Sequence, residues 1–186
     1  MASVGGGDSL IEGHSNLSTD SRGLFSGFYT KPGRLIGPYC GHHIVIEAPA
    51  ALVWDIVVDF AGWGAWNPLY GDTSGLAEEG QTLQCKVKLE GLKPQKAKAQ
   101  VYRVVPNQLF EYGMNNLGGL AKVFRYIELE ALSATRCRVT NGEIMSGLVG
   151  RYVLSPMISP KVSSGLKNMN EALLFMAERK WRARPV

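Results

Sequence analysis

Two charged residues in this 186-residue chain stand where the surrounding pattern calls for apolar ones. In the alternating stretch VFRYIEL, Arg125 shares a face with Val123, Ile127 and Leu129. In CRVTNGEIM, Asn141 and Glu143 share a face with Cys137, Val139 and Met145. Side chains alternate across a strand, so parity alone assigns these faces. One strand earlier, Tyr112 falls on the face of Phe110 and Met114. A carboxylate and a phenol in apolar surroundings are candidates for general acid and base, and an arginine beside them for stabilising a developing oxyanion. Glu143, Arg125 and Tyr112 are therefore the candidate catalytic residues. An internal ion pair, or strand-end charges reaching water, fits the same pattern, so both readings stand.

The stretch WGAWNPLY is the second unusual feature. Trp63, Trp66 and Tyr70 crowd together just after the apolar run from Leu52 to Phe60, in a chain with four Trp in all. Pro68 stops a helix, and Asn67 before it is biased towards extended backbone. The rings either line a site or close the core, since Trp buries a large area in both cases. The three histidines are weaker candidates. His42 and His43 are adjacent, so on a strand they point to opposite faces, and no spacing with Cys or His matches a zinc site. Surface or strand-end roles are expected for them.

The elements that must position these residues follow from periodicity. HHIVIEAP reads as a strand from His42 ended by Pro49, and PAALVWDIVVDF as a helix. TLQCKVKLEG alternates with Leu83, Cys85, Val87 and Leu89 on one face and Lys86 and Lys88 on the other, the signature of a half-exposed antiparallel strand. KAKAQVYRVVPNQLFEYGM gives two strands about Pro106-Asn107, with Ala97, Ala99 and Val101 assigned inward on the first. A further pair joins through Ser133-Ala134. A long final helix, starting near Ser159-Pro160, carries the stripe Leu166, Met169, Leu173, Met176 and Ala177. A run of strands followed by a packing helix indicates an α+β fold with an antiparallel sheet.

Composition narrows the partners. A net charge of +4 is spread over strand faces and the C-terminus, and no nucleic-acid-binding signature accompanies it. Three cysteines without metal spacing suit a reduced, cytoplasmic setting. No apolar run approaches a membrane span, so integral membrane association is not expected. There is no phosphate or dinucleotide fingerprint and no nucleophile elbow, and no cofactor or metal is expected. Residues 1–22, rich in Gly, Ser and Asp, are expected as a disordered tail. Residues 23–41 are expected as an aromatic extension packed on the domain, and 182–186 as a C-terminal tail.

IEAPAALVWDIVVDFAGWGAWNP, RVVPNQLFEY, TNGEIMSGLVG and NEALLFMAE, in that order and spacing, resemble the START-like SRPBCC superfamily, and in particular its polyketide cyclase/dehydrase-like branch. The resemblance implies a helix-grip domain over residues 42–181: a curved antiparallel sheet wrapped around the C-terminal helix, with two short helices after the first strand. It also implies a cavity between sheet and helix. On that basis the ligand-binding residues are Trp63, Trp66, Tyr70, Leu83, Cys85, Val87, Phe110, Met114, Asn141, Met169 and Leu173, with the aromatic stretch forming a lip. The expected partner is a small hydrophobic molecule, aromatic or polyketide-like. Relatives carry His near the position of Arg125, and a permanently charged arginine suits binding a carboxylate or enolate better than moving protons. The implied function is binding of such a molecule. A cofactor-independent cyclase, dehydratase or lyase is the alternative, and an adaptor docking partners through residues 24–39 the second alternative.

Overall fold

The computed structural model describes residues 14–19, 21, 23–29 and 37–184. Among the described residues, nine strands form one antiparallel sheet in the order β1-β2-β3-β9-β8-β7-β6-β5-β4. They are β1 His14–Thr19, β2 Leu24–Tyr29, β3 Gly37–Ile46, β4 Tyr70–Ser74, β5 Thr82–Val87, β6 Gln95–Val105, β7 Leu109–Asn116, β8 Ala121–Ser133 and β9 Arg136–Ser146. Helix α1 (Ala50–Val58) and a 3-10 segment (Phe60–Ala65) follow β3, and α2 (Ser155–Arg182) closes the chain after a wide helical segment at Gly150–Leu154. The sheet curls around α2 as the helix-grip arrangement requires.

The alternation read in β5 holds: Leu83 and Cys85 are buried, Val87 and Leu89 half-buried, Lys88 exposed and Lys86 partly so. Ala99 and Val101 on β6, Phe110 and Tyr112 on β7, and Ile127 and Leu129 on β8 face the same core. The turn at Pro106-Asn107 forms as expected, with Asn107 at a φ of 62° and Gln108 N–H donating to the Val105 carbonyl at 3.0 Å. Asn tolerates that left-handed geometry better than most residues. Helix α2 inserts Val162, Leu166, Met169, Leu173 and Ala177 into the concavity. Each of the larger apolar side chains contributes about 1.5–3 kcal/mol by leaving water.

Four features differ from expectation. Helix α2 starts at Ser155, not near Ser159-Pro160: Pro156 falls in the first turn, where an N–H has no intrahelical partner, and Pro160 deprives only the Pro156 carbonyl. The first strand of the domain begins at Gly37 rather than His42, pairing Tyr39 with Ile144. Residues 24–29 and 37–41, read as a packed extension, are sheet strands, and residues 14–19, read as part of a tail, form β1 against β2. The expectations for residues 1–13, 20, 22, 30–36 and 185–186 lie outside the described residues. Finally, the convex face has its own apolar cluster of Tyr39, Leu109, Tyr126 and Ile144. Tyr126 lies over Gly142, where a β-carbon would come within 2.5 Å of its ring, and its hydroxyl bonds that of Tyr39. Glycine is what lets the ring lie flat against the strand.

Candidate functional site

Strand register assembles the site. Val101, Tyr112, Arg125, Glu143 and Cys40 are successive lateral partners across β6, β7, β8, β9 and β3, one row on the concave face. The next row holds Phe110, Ile127, Asn141 and His42. A one-residue slip of any strand would turn its member outward.

Arg125 and Glu143 are 3% and 1% exposed and form an ion pair, with Arg125 Nε donating to Glu143 Oε2. Arg125 Nη1 donates to the Tyr70 hydroxyl, which lies 3.0 Å from that of Tyr112. The guanidinium also sits 5.4 Å from the Tyr70 ring centre. The three catalytic candidates are thus brought together, with Tyr70 as a fourth member. Burial pushes the phenols of Tyr70 and Tyr112 up, well up for Tyr70, so both are hydrogen-bond donors rather than bases near neutral pH. Burial alone would pull Arg125 down, but Glu143, Tyr70 and Tyr112 hold it well above its usual value. Two acceptors in this core are left over: among the described residues, Glu143 Oε1 and Asn141 Oδ1 are buried without a hydrogen-bond partner.

His42 is buried on the concave face, contrary to the surface role expected for it; His43 points the other way and is partly exposed. The reason is a partner 128 residues away. Asn170 of α2 sends its amide to the His42 carbonyl at 2.9 Å and to His42 Nδ1 at 3.0 Å. A carbonyl only accepts, so this fixes the Asn170 amide orientation and leaves its Oδ1 towards the Asn141 amide, 3.5 Å away. Asn141 therefore presents its own Oδ1 away from Asn170, without a partner. Cys40 faces this polar core too, its thiol pushed up to about 12 by burial and by Glu143.

The WGAWNPLY stretch positions Tyr70. Asn67 Oδ1 accepts from the backbone N–H groups of Leu69 and Tyr70 at 3.0 and 3.1 Å, a side-chain-closed turn that starts β4 and aims Tyr70 inward. Trp63 is fully buried, its indole donating to the Val57 carbonyl at 2.9 Å and its ring 5.3 Å from Tyr70. It belongs to the core wall rather than a lip, while Trp66 is half-buried against it. Leu83, Cys85, Phe110, Met169 and Leu173 line the same core, with Val87 and Met114 at its margin. An opening of about 290 Å³ lies where α2 meets the β4–β5 edge, lined by Pro68, Leu69, Lys88, Leu89, Lys161 and Gly165 among others. A β-carbon on Gly165 would meet Leu69 at 2.9 Å, so glycine sets how closely the helix approaches there. Among the described residues no group of three or more His, Cys, Asp or Glu is placed to hold a metal.

A comparison with known families matches residues 42–173 to the family described as polyketide cyclase/dehydrase and lipid transport. The chain belongs to this polyketide cyclase/dehydrase and lipid transport family. That match begins at His42 and ends at Leu173, so it spans both rows of the site apart from Cys40. Solved structures agree on the fold. The Zhui aromatase/cyclase of Streptomyces superposes with a TM-score of 0.60 at 19% identity, covering 78% of this chain and 96% of its own. A START superfamily protein of Mycobacterium smegmatis gives 0.63 at 18%, over 76% and 98%. Norcoclaurine synthase of Thalictrum flavum, in complex with dopamine and hydroxybenzaldehyde, gives 0.59 at 14%, over 80% and 88%. No curated protein matches the sequence. Family membership and fold together support a ligand-binding or cyclase role for this member of the family.

Sequence parity found Arg125, Glu143, Asn141 and Tyr112. It missed His42, Asn170 and Cys40. The signal for Asn170 was present, because it sits beside Met169 on the buried stripe of α2, where an amide is costly unless paired.

Proposed function

We propose that the concave core between the sheet and α2 binds a small, mostly apolar molecule whose polar end meets the Arg125–Glu143–Asn141 cluster. The observation that carries this reading is the pair of unpartnered buried acceptors, Glu143 Oε1 and Asn141 Oδ1, in a small polar cluster surrounded by apolar core. A buried acceptor without a donor costs about 1–3 kcal/mol, so a ligand hydroxyl or amine placed there gains that much over the empty pair. Apolar walls with a few convergent polar groups are the usual form of a small-molecule site. The opening at Leu69 and Gly165 supplies the entry, and Tyr112 and Tyr70 supply further donors. The dopamine and hydroxybenzaldehyde carried by norcoclaurine synthase on this fold support hydroxylated aromatics as the ligand class.

Binding is favoured over catalysis because Arg125 directs its Nε and Nη1 N–H groups to Glu143 and Tyr70, which fixes the guanidinium as part of the core wall. The enzymatic reading keeps one specific support, the free Oε1 lone pairs of Glu143, which a general base needs. In that reading Glu143 takes a proton, Tyr112 donates one and Arg125 holds Glu143 in place. Quenching of tryptophan fluorescence by hydroxylated arenes, compared with the same arenes lacking hydroxyls, tests the proposal. The hydroxylated set is expected to bind more tightly, and Asn141→Leu to narrow the difference. Equal binding of both sets by the unaltered protein overturns it.

A further inference from the structure

Among the described residues, seven of the eleven exposed large apolar side chains stand at one end of the sheet. Leu117 and Leu120 are on the β7–β8 turn, and Leu148, Tyr152, Val153 and Met157 on the passage from β9 into α2. Leu92, on the β5–β6 turn, is the seventh. Register places these three connections at the same end, since Val87 pairs with Gln95, Asn116 with Ala121 and Lys122 with Ser146. They also touch. The N–H groups of Val149 and Gly150 donate to the Leu120 carbonyl at 2.9 and 3.2 Å, and Lys161 donates to the Glu90 carbonyl at 2.8 Å. Leu117, Leu148, Tyr152 and Met157 are 66, 67, 63 and 69% exposed, far beyond the scatter of single apolar residues on ordinary surfaces.

Charge on these segments is predominantly positive. Segments 88–94, 115–123 and 146–161 carry Lys88, Lys93, Lys122, Arg151 and Lys161, against Glu90 alone. No acidic residue occurs between Glu143 and Glu171. Arg151 lies 4.9 Å from the Tyr152 ring centre, an amphipathic pair suited to a headgroup boundary. Highly exposed apolar side chains on neighbouring turns, with basic residues on the same segments, match a partner that is apolar beneath and anionic above. Lys88 and Lys161 line the opening beside Leu69 as well, so the patch and the opening are continuous.

We propose that this end of the domain docks peripherally on anionic lipid bilayers. Leu117, Leu120, Leu148, Tyr152, Val153 and Met157 enter the acyl boundary, and Lys93, Lys122, Arg151 and Lys161 meet the headgroups. Docking stands on the surface alone and needs no occupant in the core. If the core does bind an apolar molecule, its opening faces the bilayer.

The test is sedimentation of the full-length chain with vesicles of phosphatidylcholine, with and without roughly 30% phosphatidylglycerol, together with its mass in solution by light scattering. Each basic residue near the surface is worth about 1 kcal/mol, or roughly fivefold, so binding to the anionic vesicles should exceed that to neutral ones by at least about tenfold. Raising salt from about 0.1 to 0.5 M should remove most of that gain. Leu148→Asp with Met157→Asp, both at exposed positions, should keep the far-ultraviolet spectrum and thermal midpoint while cutting binding by about tenfold or more. A Tyr152→Trp variant should show a blue-shifted emission on anionic vesicles only. Equal sedimentation with both vesicle types, or none, overturns the proposal. So does a dimer in solution that Leu148→Asp dissociates, which would make the patch a self-association face.

Discussion

Replacing Arg125 by Met should be among the most costly single changes in the core. Both partners of the ion pair are almost wholly buried, at 3% and 1% exposure, so the screening that makes surface pairs nearly worthless does not apply. Glu143 Oε1 already has no partner, and losing Arg125 takes the one on Oε2, leaving a carboxylate with neither oxygen bonded. Breaking a buried pair from one side costs about 3–5 kcal/mol. A domain of this size has about 5–15 kcal/mol in total, so the variant folds with a much reduced margin. With a urea dependence near 2 kcal/mol per molar, the midpoint should fall by roughly 1.5–2.5 M. Arg125→Met combined with Glu143→Leu removes both charges and fills similar volume, and should recover most of the loss. The assay is urea denaturation of the four proteins, followed by tryptophan emission. A coupling of about 2–3 kcal/mol between the two sites is expected. Single costs that simply add, or a cost below about 1 kcal/mol for Arg125→Met, would refute the pairing.

Three other outcomes follow from the same geometry. Asn67→Ala removes the acceptor for the Leu69 and Tyr70 amides and should cost about 1–2 kcal/mol by denaturation; a change near zero would mean that the turn holds without it. Gly165→Val places methyls against Leu69 and Leu89, so it should slow ligand entry, read by stopped-flow quenching, more than it lowers the thermal midpoint; unchanged entry rates would show that the opening lies elsewhere. The thiols of Cys40, Cys85 and Cys137 are pushed up to about 12, 11 and 11, burial being the largest cause for each. Unfolded thiols release their protons near 9.0 while the folded ones hold theirs until 11–12, so the unfolded state binds fewer protons across that window. Stability should therefore be level below about pH 8.5 and fall steadily above it in reducing buffer, and a flat profile to pH 10.5 would contradict the burial of these groups.

Much of the sheet was legible because period-two alternation is local. TLQCKV announces its buried and exposed faces without help from any other strand, and the same parity put Arg125, Asn141 and Glu143 inside. Lateral register is not local. That Arg125 stands between Tyr112 and Glu143 depends on turn geometry at Leu117–Gly119 and Ser133–Arg136 acting together, and Cys40 joins only through the long-range pairing of β3 with β9. The burial of His42 was hidden for the same reason, since its amide partner lies on α2, and an unpaired imidazole on a strand reads as a surface group. For Trp63 the residues alone left lip and core both open, and the family resemblance favoured a lip; what decides for the core is the bond from its indole to the end of α1, which burial requires and sequence does not display. Strands β1 (HSNLST) and β2 (LFSGFY) gave no period-two alternation to read; backbone pairing of β2 with β3, and of β1 with β2, adds them to the sheet.

The central claim, that the concave core holds a small hydroxylated apolar molecule, is tested most directly by native mass spectrometry. Protein purified gently from its source should carry a discrete non-covalent mass that disappears under denaturing conditions and is lost from the paired variant Asn141→Leu with Glu143→Gln. Identification of that mass as a compound bearing a hydroxyl or amine would agree with the donor demanded by Glu143 Oε1 and Asn141 Oδ1. A chain that arrives bare in every preparation, and that shows no quenching with any hydroxylated arene, would contradict the account.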